Sequence, residues 1–163
     1  MLFDEKSTEK KLDPSDADYV EHILSDGGSF AAGHLGSNVP AGHVNIFVNG
    51  GIYQPGCGRP SPLRVLDLPK IKWICSHARA HKLYTDITRN DVPCEPIAFK
   101  CDSYSKFKRG ECFDCISPGN CVRIASTFED SIPTKNDQQT HYYIDTAAEP
   151  PYCGMCCSTF NRV

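Results

Sequence analysis

The sequence lacks several features that would place the chain in a common class of protein. No apolar run approaches the roughly 18 residues that a membrane-spanning helix needs, so no transmembrane segment is predicted. Basic residues are not in excess, since 17 Lys and Arg stand against 20 Asp and Glu, for a net charge of −3. Binding to nucleic acid through phosphate contacts normally needs a basic surface, so no nucleic-acid partner is expected.

Secretion signals are also missing, although cysteine is abundant. The chain does not open with a charged start, an apolar run and a small-residue cleavage site, and it contains no Asn-x-Ser/Thr acceptor for glycosylation. Yet 10 of its 163 residues are cysteine, a density typical of disulfide-rich secreted proteins. Either the cysteines bind metal inside the cell, or the chain is a piece of a longer secreted protein.

The remaining composition is that of a globular domain with many turns. Hydrophobic residues make up 40% and charged residues 23%, with 12 Gly and 12 Pro. Local patterns predict a helix start at Asp13-Pro14 and a helix beginning at Ser76 and stopping near Asn90. They also predict a short helical turn entering a strand at 19–24, a loop at 29–42, and strands at 43–48 and 141–145. This order indicates a mixed α/β fold with too few elements for a complete doubly wound sheet.

Two C-x-x-C pairs raise the possibility of a four-cysteine zinc site. They are Cys112 with Cys115 and Cys153 with Cys156, and the interval between them is longer than zinc modules usually have. Neither pair lies at the strand-to-helix turn that a redox motif needs. Disulfides, each stabilising by ~2–4 kcal/mol, are the favoured interpretation. Spacing alone does not choose among the many possible pairings.

Four blocks of sequence, in order along nearly the whole chain, resemble the pancreatic-type lipase family, whose short members include phospholipases A1. The blocks are Leu-Asp-Pro-Ser-Asp-Ala-x-Tyr-Val at 12–20, Gly-His leading to Asn-Gly-Gly-x-x-Gln-Pro-Gly-Cys within 42–57, Cys-Ser-His-x-Arg-Ala at 75–80, and Cys-Asp-Ser-Tyr-Ser-x-Phe at 101–107. The resemblance implies an α/β-hydrolase fold, of which this chain would contain the C-terminal half of the sheet with disulfide-stapled loops. It divides the chain into lipase-like residues 1–152 and a cysteine-containing tail, 153–163.

The resemblance implies that His77 is the catalytic histidine of a Ser-Asp-His triad. In that role it would take the proton of the serine and return it to the leaving alcohol. The residues themselves do not single His77 out from the six histidines, and an ordinary surface histidine at a helix start fits equally well.

The other two members of the triad are absent from the positions that the family pattern gives them. No G-x-S-x-G elbow occurs, and Gly33-His34-Leu35-Gly36 lacks the serine. The family acid would precede the Leu-Phe at residues 2–3. We therefore expect a C-terminal fragment of a catalytic domain that is inactive alone.

The second Leu-Asp-Pro of the family carries calcium, which implies a possible structural calcium site here. Asp13 and Asp16 would supply carboxylate oxygens, with a main-chain carbonyl near Lys11. The same residues would also cap a helix without metal.

The segment between Cys57 and Cys75 resembles the lid of these lipases, here as a lid-like loop at 58–74. Four basic residues against one acidic residue, together with apolar side chains, would suit an anionic lipid surface, although an ordinary stapled loop is equally compatible. The family pattern implies three disulfides and leaves Cys94, Cys153, Cys156 and Cys157 unassigned. The implied pairs are Cys57–Cys75, Cys101–Cys112 and Cys115–Cys121.

The predicted function is thus hydrolysis of glycerolipid esters by a secreted, extracellular phospholipase A1 or triacylglycerol lipase. No cofactor is required, and the partner is a glycerolipid or phospholipid substrate at a lipid interface. A non-catalytic homologue that binds or stores lipid is the first alternative. An intracellular zinc module is the second.

Overall fold

The computed structural model describes residues 11–58, 74–89, 95–125 and 139–152. The interior of the lid-like loop, Cys94 and the tail at 153–163 lie outside the described residues. Within the described ranges, no helix has the length and apolar character needed to cross a membrane.

A mixed five-stranded sheet organises the described residues. The elements are β1 (Glu21–Leu24), β2 (Val44–Val48), α1 (Cys75–Ile87), β3 (Ile97–Lys100), α2 (Tyr104–Lys108), β4 (Cys121–Arg123) and β5 (Thr140–Ile144). The spatial order is β1-β2-β5-β3-β4. β1, β2 and β5 are mutually parallel, whereas β3 runs antiparallel to both β5 and β4. The sheet is that of a partial α/β fold, as predicted.

The strand β2 lies at the centre of the parallel part, and one of its faces is entirely apolar. Val44, Ile46 and Val48 are almost completely buried, as expected for a strand with a parallel neighbour on each side. Leu83 of α1, with no exposed surface, belongs to the same core cluster. The helix therefore packs against the sheet through this cluster, which fixes where its first turn lies.

Asn45 is fully buried within β2. Its Oδ1 accepts hydrogen bonds from the amides of Ala41 (2.9 Å) and Gly42 (3.0 Å), and its Nδ2 donates to the Gly42 carbonyl (2.7 Å). An ionised aspartate could accept the first two bonds but could not donate the third. The asparagine thus satisfies the backbone N–H and carbonyl groups of the turn before β2 without burying a charge.

Three elements in the cysteine-rich segment were not predicted: β3, α2 and β4. Each has five residues or fewer, too short for hydrophobic periodicity. β4 is defined by antiparallel pairing with β3, which also pairs antiparallel with β5. The helix α2 did have a local signal. Ser103 caps it, accepting a hydrogen bond from the Lys106 amide on its side-chain oxygen.

The segment 19–24 also differs from expectation. Its regular structure is the strand β1, and the short helix lies earlier, at Pro14–Asp16. Val20 and Leu24 are buried, and pairing with β2 imposes the extended conformation.

The imidazole of His22 on β1 makes stability depend on pH. Burial lowers the pKa of His22 below its ordinary value of 6.5, while a hydrogen bond with Asn45 opposes that shift. Among the described residues, its Nδ1 has no hydrogen-bond partner. A histidine whose folded-state pKa is depressed stabilises the fold above about pH 6.5, and this stability is lost as the pH falls.

We predict that His22→Leu reduces the fall in unfolding free energy between about pH 7 and about pH 5, measured by urea denaturation. His81→Gln, which removes an exposed imidazole on α1, is the matched control. An equal pH dependence in wild type and His22→Leu would contradict this account of the buried ring.

Candidate active site

The carboxyl ends of the parallel strands bring polar side chains to one edge of the sheet. Ser25 and Asp26 follow β1, Asn49 follows β2, and Thr146 lies just beyond β5. Asn49 donates to Thr146 Oγ1 and accepts from the Thr146 amide, which ties the ends of β2 and β5 together. In open α/β sheets, this edge is where ligands bind.

Three buried polar residues join this edge to the first turn of α1. Gln54 donates through Nε2 to the carbonyls of Ser25 (2.9 Å) and Val48 (2.7 Å), and its amide donates to Ser76 Oγ. Ser25 Oγ donates to the Ser76 carbonyl at 2.8 Å. All three residues are at most 5% exposed. We call this Gln54–Ser25–Ser76 network the polar knot.

The polar knot places His77 beside Asp26, because these residues directly follow Ser76 and Ser25. His77 Nδ1 lies 3.9 Å from Asp26 Oδ2. That distance is too long for a hydrogen bond, but catalytic hydrogen bonds are often long in the absence of substrate. The His77 side chain is 49% exposed, whereas that of Asp26 is 2% exposed. A solvent-facing imidazole therefore meets a buried carboxylate.

Asp26 is held by two donors besides facing His77. Its Oδ1 lies 2.8 Å from Nδ1 of His34, and its Oδ2 accepts the Leu35 amide at 3.0 Å. The His34 ring is buried, and it lies so close to Gly28 that a Cβ there would sit 2.4 Å from its Cδ2. Glycine at position 28 is required by this close approach. The two bonds fix the orientation of the carboxylate.

A cavity of about 790 Å³ opens beside this pair. Its volume is in the range of pockets for small molecules. His77 and Asp26 contribute polar groups, and much of the remaining wall is apolar. The apolar lining residues include Leu12, Ile23, Leu24, Leu35, Val39 and Pro40.

The predicted calcium ligands are Lys11, Asp13 and Asp16, and the first two also line the cavity. Asp13 accepts from the Ser15 amide at 2.7 Å, and the Asp13 amide donates to Asp16 Oδ2 at 2.9 Å, forming a capping box. Hydrogen bonds from Ser15 lower the pKa of Asp13. Among the described residues, no three or more His, Cys, Asp or Glu side chains cluster to hold a metal. The capping role is filled, and calcium stays a prediction.

Among the described residues, the disulfides have the pairs that the family resemblance implies: Cys57–Cys75, Cys101–Cys112 and Cys115–Cys121. The Cys57–Cys75 disulfide joins the two ends of the lid-like loop, and Cys75 is the first residue of α1. Buried Arg79, one turn into α1, donates to the carbonyls of Pro55 and Ala147 at 2.7 and 2.9 Å. The helix start is thus held from several sides.

Sequence reasoning missed Asp26 and His34. Asp26 follows a short strand and precedes Gly27-Gly28, so a signal was available: acidic residues just after parallel strands meet at the ligand-binding edge. His34 gave no such signal, because its pairing with Asp26 depends on a loop that folds back onto β1, where Gly27 and Gly36 form a parallel bridge.

The arrangement is suited to proton transfer. An exposed imidazole at the rim of a cavity, with a buried carboxylate behind its Nδ1, can accept a proton on Nε2 from a group in that cavity. The described residues thus place an imidazole and a carboxylate as a nucleophile–histidine–carboxylate constellation would need them.

Comparison with known proteins identifies the family of the chain. The family model described as Lipase matches residues 1–152. The chain is 35% identical over 150 residues to phospholipase A1 member A of Bos taurus, covering 90% of this chain and 30% of the relative. It is 32% identical to lipase member H of Oryctolagus cuniculus (93% and 32% covered) and 35% identical to pancreatic triacylglycerol lipase of Homo sapiens (83% and 30%).

The chain therefore spans about a third of the length of the curated relatives that it matches. The family match covers most of its residues and includes the strands, α1 and His77. On this evidence the chain belongs to the lipase family.

Proposed function

We propose that this chain is the C-terminal part of the catalytic domain of a carboxylic ester hydrolase that acts on glycerolipids. The observation that carries the proposal is the position of His77 at the rim of the cavity beside a buried carboxylate. The family resemblance implies that this residue is the catalytic histidine. The relatives named as phospholipases A1 and triacylglycerol lipases support the substrate class.

In the proposed reaction, His77 acts as a general base and then as a general acid. Nε2 takes the proton of a serine hydroxyl, the serine oxygen attacks the ester carbonyl, and the alcohol leaves with that proton. Water then attacks the acyl-serine by the same route in reverse and releases the fatty acid. The steps consist of acyl transfer and proton transfer among side chains, substrate and water. The proposed reaction therefore requires no cofactor.

The apolar side chains of the cavity suit an acyl chain, and its polar groups lie where the ester would react. Leu35 and Val39 are partly exposed at the cavity wall. Burying such surface against an acyl chain contributes roughly 25 cal/mol per Å². We therefore propose that the substrate enters from a lipid interface. We also propose an extracellular location, because disulfides form and persist in oxidising environments outside the cell.

The first test uses the 163-residue chain itself. Because it contains no G-x-S-x-G elbow, His77 has no nucleophile to activate, and we predict no measurable hydrolysis of a short-chain ester above background. Turnover that is abolished by His77→Ala would contradict the proposal that the serine lies outside this chain.

The second test supplies the missing nucleophile. A chimera would join the catalytic-domain segment of bovine phospholipase A1 member A that precedes the matched region to residues 1–163 of this chain. We predict hydrolysis of phospholipid vesicles, reduced about 10⁴-fold or more by His77→Ala.

The matched control for that substitution is His81→Ala, one turn later on the exposed face of α1, which should retain activity. Equal hydrolysis by His77→Ala and His81→Ala would overturn the role of His77. A folded chimera that hydrolyses no glycerolipid would overturn the proposed function.

We also propose that Asp13 and Asp16 bind a calcium ion that stabilises the fold. Asparagine caps a helix about as well as aspartate but supplies one neutral oxygen instead of a carboxylate. We therefore predict that calcium raises the Tm of the wild-type chain over that in chelator, and that Asp13→Asn removes the increment. Equal wild-type Tm values in calcium and chelator would contradict the site and leave the capping box as the role of both residues.

A further inference from the structure

We propose that the Cys57–Cys75 disulfide is redox-labile. A dithiol reductant opens it in preference to the other two described disulfides, and the first turn of α1 loosens when it opens. This inference goes beyond the proposed function, because neither lipid nor ester hydrolysis takes part in it. It follows from what surrounds the two sulfur atoms.

The first support is the cation beside Cys57. Arg79 Nη2 lies 3.8 Å from Cys57 Sγ, and Arg79 is 3% exposed. Its other hydrogen bonds within the described ranges go to uncharged main-chain carbonyls, those of Pro55, Ala147 and Ala148. Glu149 attracts the guanidinium electrostatically without forming an ion pair with it. Since a buried charge is normally paired, a thiolate at Cys57 would supply the direct counter-charge that the disulfide sulfur does not.

The second support is the position of Cys75, the first residue of the 13-residue helix α1. The N-terminus of a helix carries a partial positive charge, which stabilises a thiolate there. The N-cap residue, Ile74, provides no side-chain cap for the first amides. Both cysteines are partly exposed, so a reductant has access to them. Either sulfur can therefore leave as a stabilised thiolate.

The other two described disulfides have different surroundings. Cys101 is 7% exposed in an apolar cluster against which Cys112 packs, and apolar surroundings disfavour a thiolate. Beside the Cys115–Cys121 disulfide, the Asp114 carboxylate accepts hydrogen bonds within the same turn. That negative charge opposes a second one on either sulfur.

In the proposed exchange, a thiolate of the reductant attacks Cys75 Sγ, the S–S bond breaks, and Cys57 leaves as a thiolate beside Arg79. The second thiol of the reductant attacks the reductant sulfur of the mixed disulfide and releases Cys75. The dithiol becomes a disulfide, gives two electrons to the chain, and loses its two protons to water or to the new thiols. Because Cys75 lies two residues before His77, the turn that carries the imidazole loses a covalent tie.

The test is an equilibrium titration of the 163-residue chain in mixtures of reduced and oxidised dithiothreitol, with free thiols alkylated and assigned by peptide mass spectrometry. We expect half-reduction of Cys57–Cys75 at a reduced-to-oxidised ratio about tenfold below that of Cys101–Cys112 and of Cys115–Cys121. An equal or higher ratio for Cys57–Cys75 would overturn the proposal without any variant being made.

Variants of Arg79 test the cause. Arg79→Met should raise the ratio for Cys57–Cys75 about tenfold and leave that of Cys101–Cys112 in place, whereas Arg79→Lys retains the cation and should shift it less. An unchanged Cys57–Cys75 ratio in folded Arg79→Met would overturn the role of the guanidinium.

A second pair of variants decides if Arg79→Met does not fold. Cys75→Ser leaves the Cys57 thiol beside Arg79, and Cys121→Ser leaves the exposed Cys115 thiol as the matched control. The pH of half-maximal alkylation rate should be about one unit lower for Cys57 than for Cys115. An equal or higher value would overturn the role of Arg79.

Hydrogen–deuterium exchange tests the consequence for α1. At a dithiothreitol ratio that reduces only Cys57–Cys75, exchange should become faster at 75–80 and stay unchanged at 104–108 in α2. Unchanged exchange at 75–80 would overturn the loosening of the helix start.

Discussion

The polar knot is the constraint on which the rest of the site depends. Gln54 joins the ends of β1 and β2 to the first turn of α1, and the Ser25 hydroxyl bonds to the Ser76 carbonyl at 2.8 Å. Each of these groups is buried, so breaking one bond leaves an unsatisfied donor or acceptor at a cost of about 1–3 kcal/mol. Because Asp26 and His77 are the next residues in their segments, the knot brings a carboxylate and an imidazole close together.

The Cys57–Cys75 disulfide and Arg79 also hold the first turn of α1 in place. Cys57–Cys75 ties α1 at its first residue, and the Arg79 guanidinium bonds to carbonyls on both sides of the helix start and lies 4.1 Å above the centre of the Tyr152 ring. Burial lowers the pKa of Arg79, although the ordinary arginine value is high enough for the group to stay charged. The sequence left open whether the cysteines bind metal or form disulfides. At this helix they form a disulfide, Cys57–Cys75, which holds the start of α1.

The sequence predicts the parts of the fold with strong local signals. β2 is read from its β-branched and aromatic residues, α1 from helical spacing, and the capping of residues 13–16 from Asp-Pro-Ser-Asp. It does not predict β3 and β4, whose few residues become strands only by pairing with distant partners. For the site, resemblance to the family identifies His77. Asp26 and His34 come together through the parallel edge and a returning loop, which no spacing along the chain encodes.

The polar knot sets the position of His77. The most direct test is ¹⁵N NMR of the His77 ring in Gln54→Met, which keeps a side chain of similar length but removes the amide that bonds to Ser25 and Val48. With circular dichroism showing that the variant stays folded, we expect the His77 nitrogen shifts to move while those of His81, exposed on the same helix, do not. Wild-type His77 shifts in the folded Gln54→Met chain would contradict it.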